Sequence, residues 1–113
     1  MLLTNGPVRA QRQKLKALHI NELFSGIYIS DETGYSKPDS SAFENVLMNE
    51  KISIDGTVYV GDSVKFDIEP ALALGFKTIF LNNKNENDLY NNNADLISIK
   101  ELSEIFTALS YFE

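Results

Sequence analysis

Cysteine is absent from the 113 residues. Disulfides and thiolate chemistry are therefore excluded, and the chain fits a reducing compartment. Histidine occurs once, at His19, with no partner motif nearby, and reads as an ordinary polar residue at a helix end. Basic runs are missing too, and the formal net charge is −6, which argues against a nucleic-acid surface or an anionic membrane as partner. No apolar run is long enough to span a bilayer. The opening MLLTNGPVRAQRQK has neither the basic start nor the apolar stretch of a secretory signal. The expectation is an acidic, soluble protein of the cytoplasm. A dinucleotide-binding fold would want G-x-G-x-x-G after its first strand, and TNGPVRA does not supply it.

What is present alternates between strand and helix. MLLT reads as a strand running into Asn5-Gly6-Pro7, with Pro7 suited to the first position of the helix VRAQRQKLKALHI. Leu15, Leu18 and Val8 are its expected inward residues. GIYIS is a second strand, followed by a polar loop, DETGYSKPD. A helix with Phe43, Val46 and Leu47 as its apolar stripe comes next, with Ser41 and Glu44 as a capping box. Asp55-Gly56 turns the chain into the strand TVYV. A helix with Ile68, Ala71 and Leu72 on one face then carries Pro70 in its first turn and ends at Gly75. KTIFLN and DLISI are further strands. The final helix is expected to place Leu102, Ile105, Phe106 and Leu109 inward, behind a capping box of Ser98 and Glu101. Between those two strands lies NNKNENDLYNNN, residues 82–93, where asparagine fills seven of twelve positions. Such a stretch has little to bury and reads as a surface loop. The pattern predicts an α/β, Rossmann-like parallel sheet flanked by helices, with all strand carboxyl ends on one edge.

At that edge the sequence gathers its reactive side chains. Thr4 and Asn5 follow the first strand, Lys37 lies in the loop after the second, and Asp62 and Asp67 follow VYVG. Each has an ordinary reading alone: a helix cap, a solvated loop lysine, turn aspartates, an acidic helix start. Together they form a set. Two carboxylates suit Mg²⁺, a hard cation that prefers oxygen ligands and substrate phosphates. A hydroxyl beside backbone N–H groups at a helix start can hold phosphate oxygens. A lysine can neutralise charge on a transferring phosphoryl group. Tyr28 and Tyr59 read as packing residues within strands, and Tyr35 as a loop residue near Lys37. A receiver domain of the response-regulator type also uses Asp, Thr and Lys-Pro, but in a different order along the chain.

LLTNG, GYSKPDSSAFENVL and VYVGDSVKFDIEPALALGFKTIFLN resemble the second, third and fourth motifs of the haloacid dehalogenase-like (HAD) hydrolases. The resemblance covers residues 1 to about 82, and ADLISIKELSEIF resembles the family's usual ending. TNGPVRAQRQKL and ISDETGYSKPD look most like the branch of pyrimidine 5′-nucleotidases and phosphoglycolate phosphatase-like enzymes. The resemblance implies that Thr4 donates its hydroxyl to phosphoryl oxygens, assisted by a backbone N–H around Asn5. Lys37 would pair with the nucleophilic carboxylate and the phosphoryl group. Asp62 would bind Mg²⁺, and Asp67 would complete the acidic pair as a ligand or by holding Lys37 and a metal-bound water. The implied activity is Mg²⁺-dependent hydrolysis of a small phosphorylated metabolite, such as a nucleoside monophosphate, through an aspartyl-phosphate. The alternative is a module that grips Mg²⁺ and phosphate without turnover.

The family's first motif, Asp-x-Asp at a strand end, occurs nowhere in this sequence. Residues 1–113 are therefore expected to be the C-terminal portion of a HAD core domain, with the nucleophile and the cap domain upstream. Met1 falls inside the first strand, where the family has an ordinary apolar residue. The missing strand would lie between those ending at Thr4 and Asp62, so the isolated chain is expected to be poorly stable or to associate through open edges.

Overall fold

The computed structural model describes residues 1–84 and 93–113, in two compact units, Met1–Lys51 and Ile52–Glu113. In the first, strand β1 (Leu2–Thr4) pairs in parallel with β2 (Ile27–Ile29), Leu2 opposite Ile27 and Thr4 opposite Ile29. A parallel pair needs a crossover, and helix α1 (Val8–Ala17) provides it. Pro7 stands just before α1, at its cap, one place earlier than the sequence pattern suggests. At the far end the chain closes a Schellman motif: Ile20 N–H donates to Leu15 C=O and His19 N–H to Lys16 C=O, both at 3.1 Å. His19 takes the left-handed position of that turn, at φ 56°, a structural duty that matches its ordinary reading. Because the helix stops at Ala17, Leu18 leaves the apolar stripe and is 66% exposed, contrary to expectation, while Leu15 is buried.

The loop after β2 is more ordered than its composition suggests. Ser30–Thr33 form one helical turn, α2, capped by Gly34; a single turn carries no apolar period by which to read it. Helix α3 (Ser40–Glu50) buries Ala42 and Phe43 and packs on β1. It starts one residue before Ser41, with Asp39 at the cap and no side-chain capping bond. Ser41 therefore sits inside the first turn, and the expected Ser41–Glu44 box does not form. Tyr28 sends its hydroxyl from β2 to Glu50 Oε2 at 2.5 Å.

The second unit is a three-stranded parallel sheet ordered β3 (Val58–Gly61), β4 (Lys77–Leu81), β5 (Leu96–Ile99). A π-helical turn, Val64–Ile68, leads into α4 (Glu69–Leu74), where Pro70 lies in the first turn and Gly75 caps the end. Successive side chains of β4 serve opposite faces, as the pleat requires. Phe80 joins Ile68 and Leu96, with Val64 and Leu72 against them. Ile79 joins Ile99 and Ala108, with Ile105, Leu109 and Phe112 packed on. Lys77 pairs with Asp95 across the strand starts.

The last helix departs from expectation in phase. Ser98 belongs to β5, so the capping box moves three residues on, to Glu101 and Glu104. The 3-10 turn Leu102–Glu104 precedes α5 (Ile105–Ser110). Its three-residue period rotates the stripe, leaving Leu102 60% and Phe106 85% exposed while Ala108 is buried. Asn82, the first residue of the asparagine-rich stretch, is buried and donates its N–H to Ile99 C=O at 2.8 Å. Residues 85–92 of that stretch lie outside the described residues. Among the described residues no helix is long and apolar enough to cross a membrane.

Among the described residues β1 has a strand neighbour on one side only, as does β3, and Val60 of β3 is exposed. Open strand edges invite pairing with another chain, and edge lysines oppose it. The chain is expected to associate with rising concentration in size-exclusion chromatography, less so as Val60→Lys. A monodisperse monomer with a cooperative thermal transition would contradict this.

Candidate active site

In the first unit the candidate residues lie at the turn after β1. Thr4 ends the strand, and Asn5 and Gly6 form the link to α1. Gly6 has φ 133°, a backbone conformation that calls for glycine, and a Cβ there would also press on the end of the Gln11 side chain, 2.7 Å from Nε2. Gln11, one turn into α1, folds back over the link, and its Nε2 donates to Asn5 C=O at 2.5 Å and to Thr4 Oγ1 at 3.4 Å. Gly6 N–H donates to Ser30 Oγ at 2.8 Å, tying the turn to α2. The Asn5 side chain reaches Lys37 from 32 positions away. Asn5 Nδ2 donates to Lys37 C=O at 2.9 Å, and Lys37 N–H donates to Asn5 Oδ1 at 3.0 Å. Thr4, Asn5 and Lys37 are thus brought together, all half-buried. Tyr35, near Lys37 in sequence, is 44% exposed.

In the second unit the candidate residues lie at the end of β3. Gly61 is required by close approach: a Cβ there would lie 2.4 Å from Asp67 Cβ. That space lets Asp67 fold under the turn, where it is only 4% exposed. A buried carboxylate needs partners, and it has them. Oδ1 accepts from Tyr59 Oη at 2.7 Å, and Oδ2 accepts from Ser63 N–H at 3.3 Å. Ser63 caps the π-helical turn, its Oγ accepting from Phe66 N–H at 3.1 Å, while its C=O accepts from Asp67 and Ile68 N–H, each at 3.0 Å. Asp62, next to Gly61, is exposed. Its charge still reaches Tyr59, so both carboxylates act on one phenol. A donor set made only of oxygen suits a hard divalent cation. Among the described residues no three His, Asp or Glu side chains converge.

Several contributors were not singled out in the sequence. Gln11 and Ser30 carry no motif, and their role appears only once α1 and α2 fold back on the turn. Ser63 follows Asp62 directly, and a serine opening a helical turn is a capping signal. Tyr59 does pack within its strand, its ring 5.9 Å from that of Phe76, but its hydroxyl is spent on Asp67.

Burial first, then the Asp67 charge and hydrogen bond, raise the Tyr59 phenol above its ordinary value. Tyr28 is pushed up from 10.0 to about 12, chiefly by its bond to Glu50, then by burial. A raised phenol favours the protonated folded state. The contribution is whole below pH 10.0, where unfolded tyrosine also keeps its proton, and is lost as pH climbs to about 12 for Tyr28. Alkaline titration of tyrosinate absorbance should find at least two of the five tyrosines ionising late, with one fewer in Tyr28→Phe and in Tyr59→Phe. Five tyrosines titrating together near the ordinary value would contradict the geometry.

Comparison with known proteins gives the family. Residues 2–81 match the model of the haloacid dehalogenase-like hydrolases. The chain is 32% identical over 104 residues to a glyceraldehyde 3-phosphate phosphatase of Methanocaldococcus jannaschii, covering 92% of this chain and 46% of that protein. It is 30% identical over 107 residues to a phosphoserine phosphatase of Thermus thermophilus, covering 95% and 43% respectively. Among solved structures, the magnesium-bound HAD-hydrolase YfnB of Bacillus subtilis superposes with a TM-score of 0.85 at 26% identity, over 95% of this chain and 47% of that one. The chain spans less than half the length of each of these relatives.

Proposed function

The chain belongs to the haloacid dehalogenase-like hydrolases, and from that premise we propose that it forms part of a Mg²⁺-dependent phosphomonoester hydrolase. The observation that carries the reading is the joining of Asn5 to Lys37, which brings the threonine hydroxyl, the turn amides and the lysine to one strand end. Such a grouping suits an anion. The Thr4 hydroxyl and a backbone N–H around Asn5 would bind phosphoryl oxygens, and the Lys37 ammonium would offset their negative charge. Asp62 and Asp67 would hold Mg²⁺, which when bound supplies positive charge to a phosphoryl group.

The exposed Asp62 is the carboxylate with oxygens open to a cation. Asp67, anchored by Tyr59 and Ser63, would offer a fixed one. The nucleophilic aspartate, which would carry the phosphoryl group as an aspartyl-phosphate, belongs to an Asp-x-Asp segment that these 113 residues do not contain. The substrate would be a small phosphorylated metabolite in the cytoplasm. Relatives named for glyceraldehyde 3-phosphate and phosphoserine support that class, and a nucleoside monophosphate is the nucleotidase-like member of it.

The test is complementation. The chain mixed with an upstream segment carrying Asp-x-Asp should hydrolyse a generic phosphomonoester only when Mg²⁺ is present, and chelation should abolish turnover. No activity in the assembled pair would favour a module that binds without turnover. In the active pair, Asp62→Asn should lower kcat by about a hundredfold or more. Lys37→Ala should do the same while Mg²⁺ binding, read by calorimetry, is kept. Near-normal turnover of Asp62→Asn at low Mg²⁺ would remove Asp62 from the metal site.

A further inference from the structure

We propose that the Asn5 side chain is a positioning residue for Lys37, setting where the lysine stands at the end of β1, and is not itself a phosphate ligand. The inference rests on the reading of Lys37 as the cationic partner of the phosphoryl group. Its basis is the pair of bonds that Asn5 makes to one residue's main chain, Nδ2 to Lys37 C=O at 2.9 Å and Lys37 N–H to Oδ1 at 3.0 Å.

Two opposed residues of an antiparallel ladder exchange N–H and C=O in this same double fashion. Here a side-chain amide takes the place of the second strand. An amide side chain offers a donor and an acceptor side by side on one planar group. Aspartate would keep the acceptor and turn an oxygen toward the Lys37 carbonyl. Alanine would keep neither. Glutamine carries one more methylene, which pushes the amide past the position from which both bonds close.

The clasp has value only if Asn5 is itself fixed, and it is. Its carbonyl accepts from Gln11 Nε2 of α1, its neighbour Gly6 is bonded to Ser30, and Thr4 is locked in register with Ile29. The main chain of Asn5 is thus tied to α1, α2 and β2, and its side chain passes that rigidity to the Lys37 loop. With both polar atoms of the amide engaged on Lys37, an anion at this turn is left to the Thr4 hydroxyl and a backbone N–H. A lysine is a point charge on a flexible stem, so fixing the backbone at its root removes much of the freedom that would blur its position.

Two measurements test this. In the chain itself, hydrogen exchange at Lys37 N–H should quicken by about tenfold in Asn5→Ala, as expected for loss of the two bonds. Asn5→Asp should show a smaller effect, and serves if the alanine variant does not fold. Ile20 N–H, bonded to Leu15 C=O in the same unit, should exchange unchanged. Lys37 exchange that is the same in both variants as in the wild type would overturn the proposal.

In the assembled enzyme, Asn5→Ala should lower kcat by about a hundredfold, the scale of a misplaced catalytic group. KM and inhibition by inorganic phosphate should change much less than kcat, since the Asn5 amide itself makes no contact with the phosphate. A kept kcat with weakened phosphate inhibition would make Asn5 a phosphate ligand and sink the inference. If the wild-type assembly has no phosphatase activity while the exchange effect stands, the clasp holds and the hydrolase reading falls.

Discussion

Every strand pairing in the described residues is parallel, and a parallel pair cannot be closed by a tight turn. That constraint orders much else. Each strand must hand the chain to a crossover, and the residues just beyond its carboxyl end begin that journey before any helix has formed around them. Thr4-Asn5-Gly6 and Gly61-Asp62-Ser63 occupy such points. Both turns are held by side chains folding back from the element that follows, Gln11 in one and Asp67 in the other. In each, a glycine leaves room where a Cβ would collide with the returning side chain.

The two turns treat polarity differently. After β1 the bonds are made by neutral groups, amides and a hydroxyl, so the turn is stiff without being charged. After β3 a carboxylate is buried nearly completely and its desolvation is offset by a phenol and a backbone N–H. The neighbouring Asp62 stays in solvent. Two like charges so close in sequence are tolerable because one of them is stabilised by donors and the other is screened by water.

The sequence was legible wherever period or motif carried the signal. The alternation of strand and helix, Pro70 and Gly75 around α4, and Thr4, Lys37 and the two aspartates at strand ends or in following loops could all be read directly. It was misleading where local geometry shifted a phase. Leu18 satisfies a helical period yet lies past a Schellman turn, and Leu102 and Phe106 fit an α period that the preceding 3-10 turn rotates away. Both errors come from extending a regular pattern through a terminus, where hydrogen bonding and not hydrophobicity decides direction. The capping boxes failed for a related reason, since a serine and a glutamate three apart cap a helix only if the serine stands outside it. What no pattern could reveal was Gln11, Ser30 and the hydroxyl of Tyr59, whose partners are set by the tertiary fold. Asn5 was legible as part of the set, while its bond to a residue 32 places away was not.

Ile79 and Phe80 are consecutive, yet each anchors a different hydrophobic cluster, one beneath α5 and the other beneath α4 and the π-helical turn. Strand β4 is therefore a ruler as well as a core element. A single residue inserted before Ile79 would exchange the two faces, offering a phenylalanine where an isoleucine fits and the reverse. Length, more than composition, is what this segment must preserve, and amino-acid exchanges of similar volume should be easier for it to accept than any change in count.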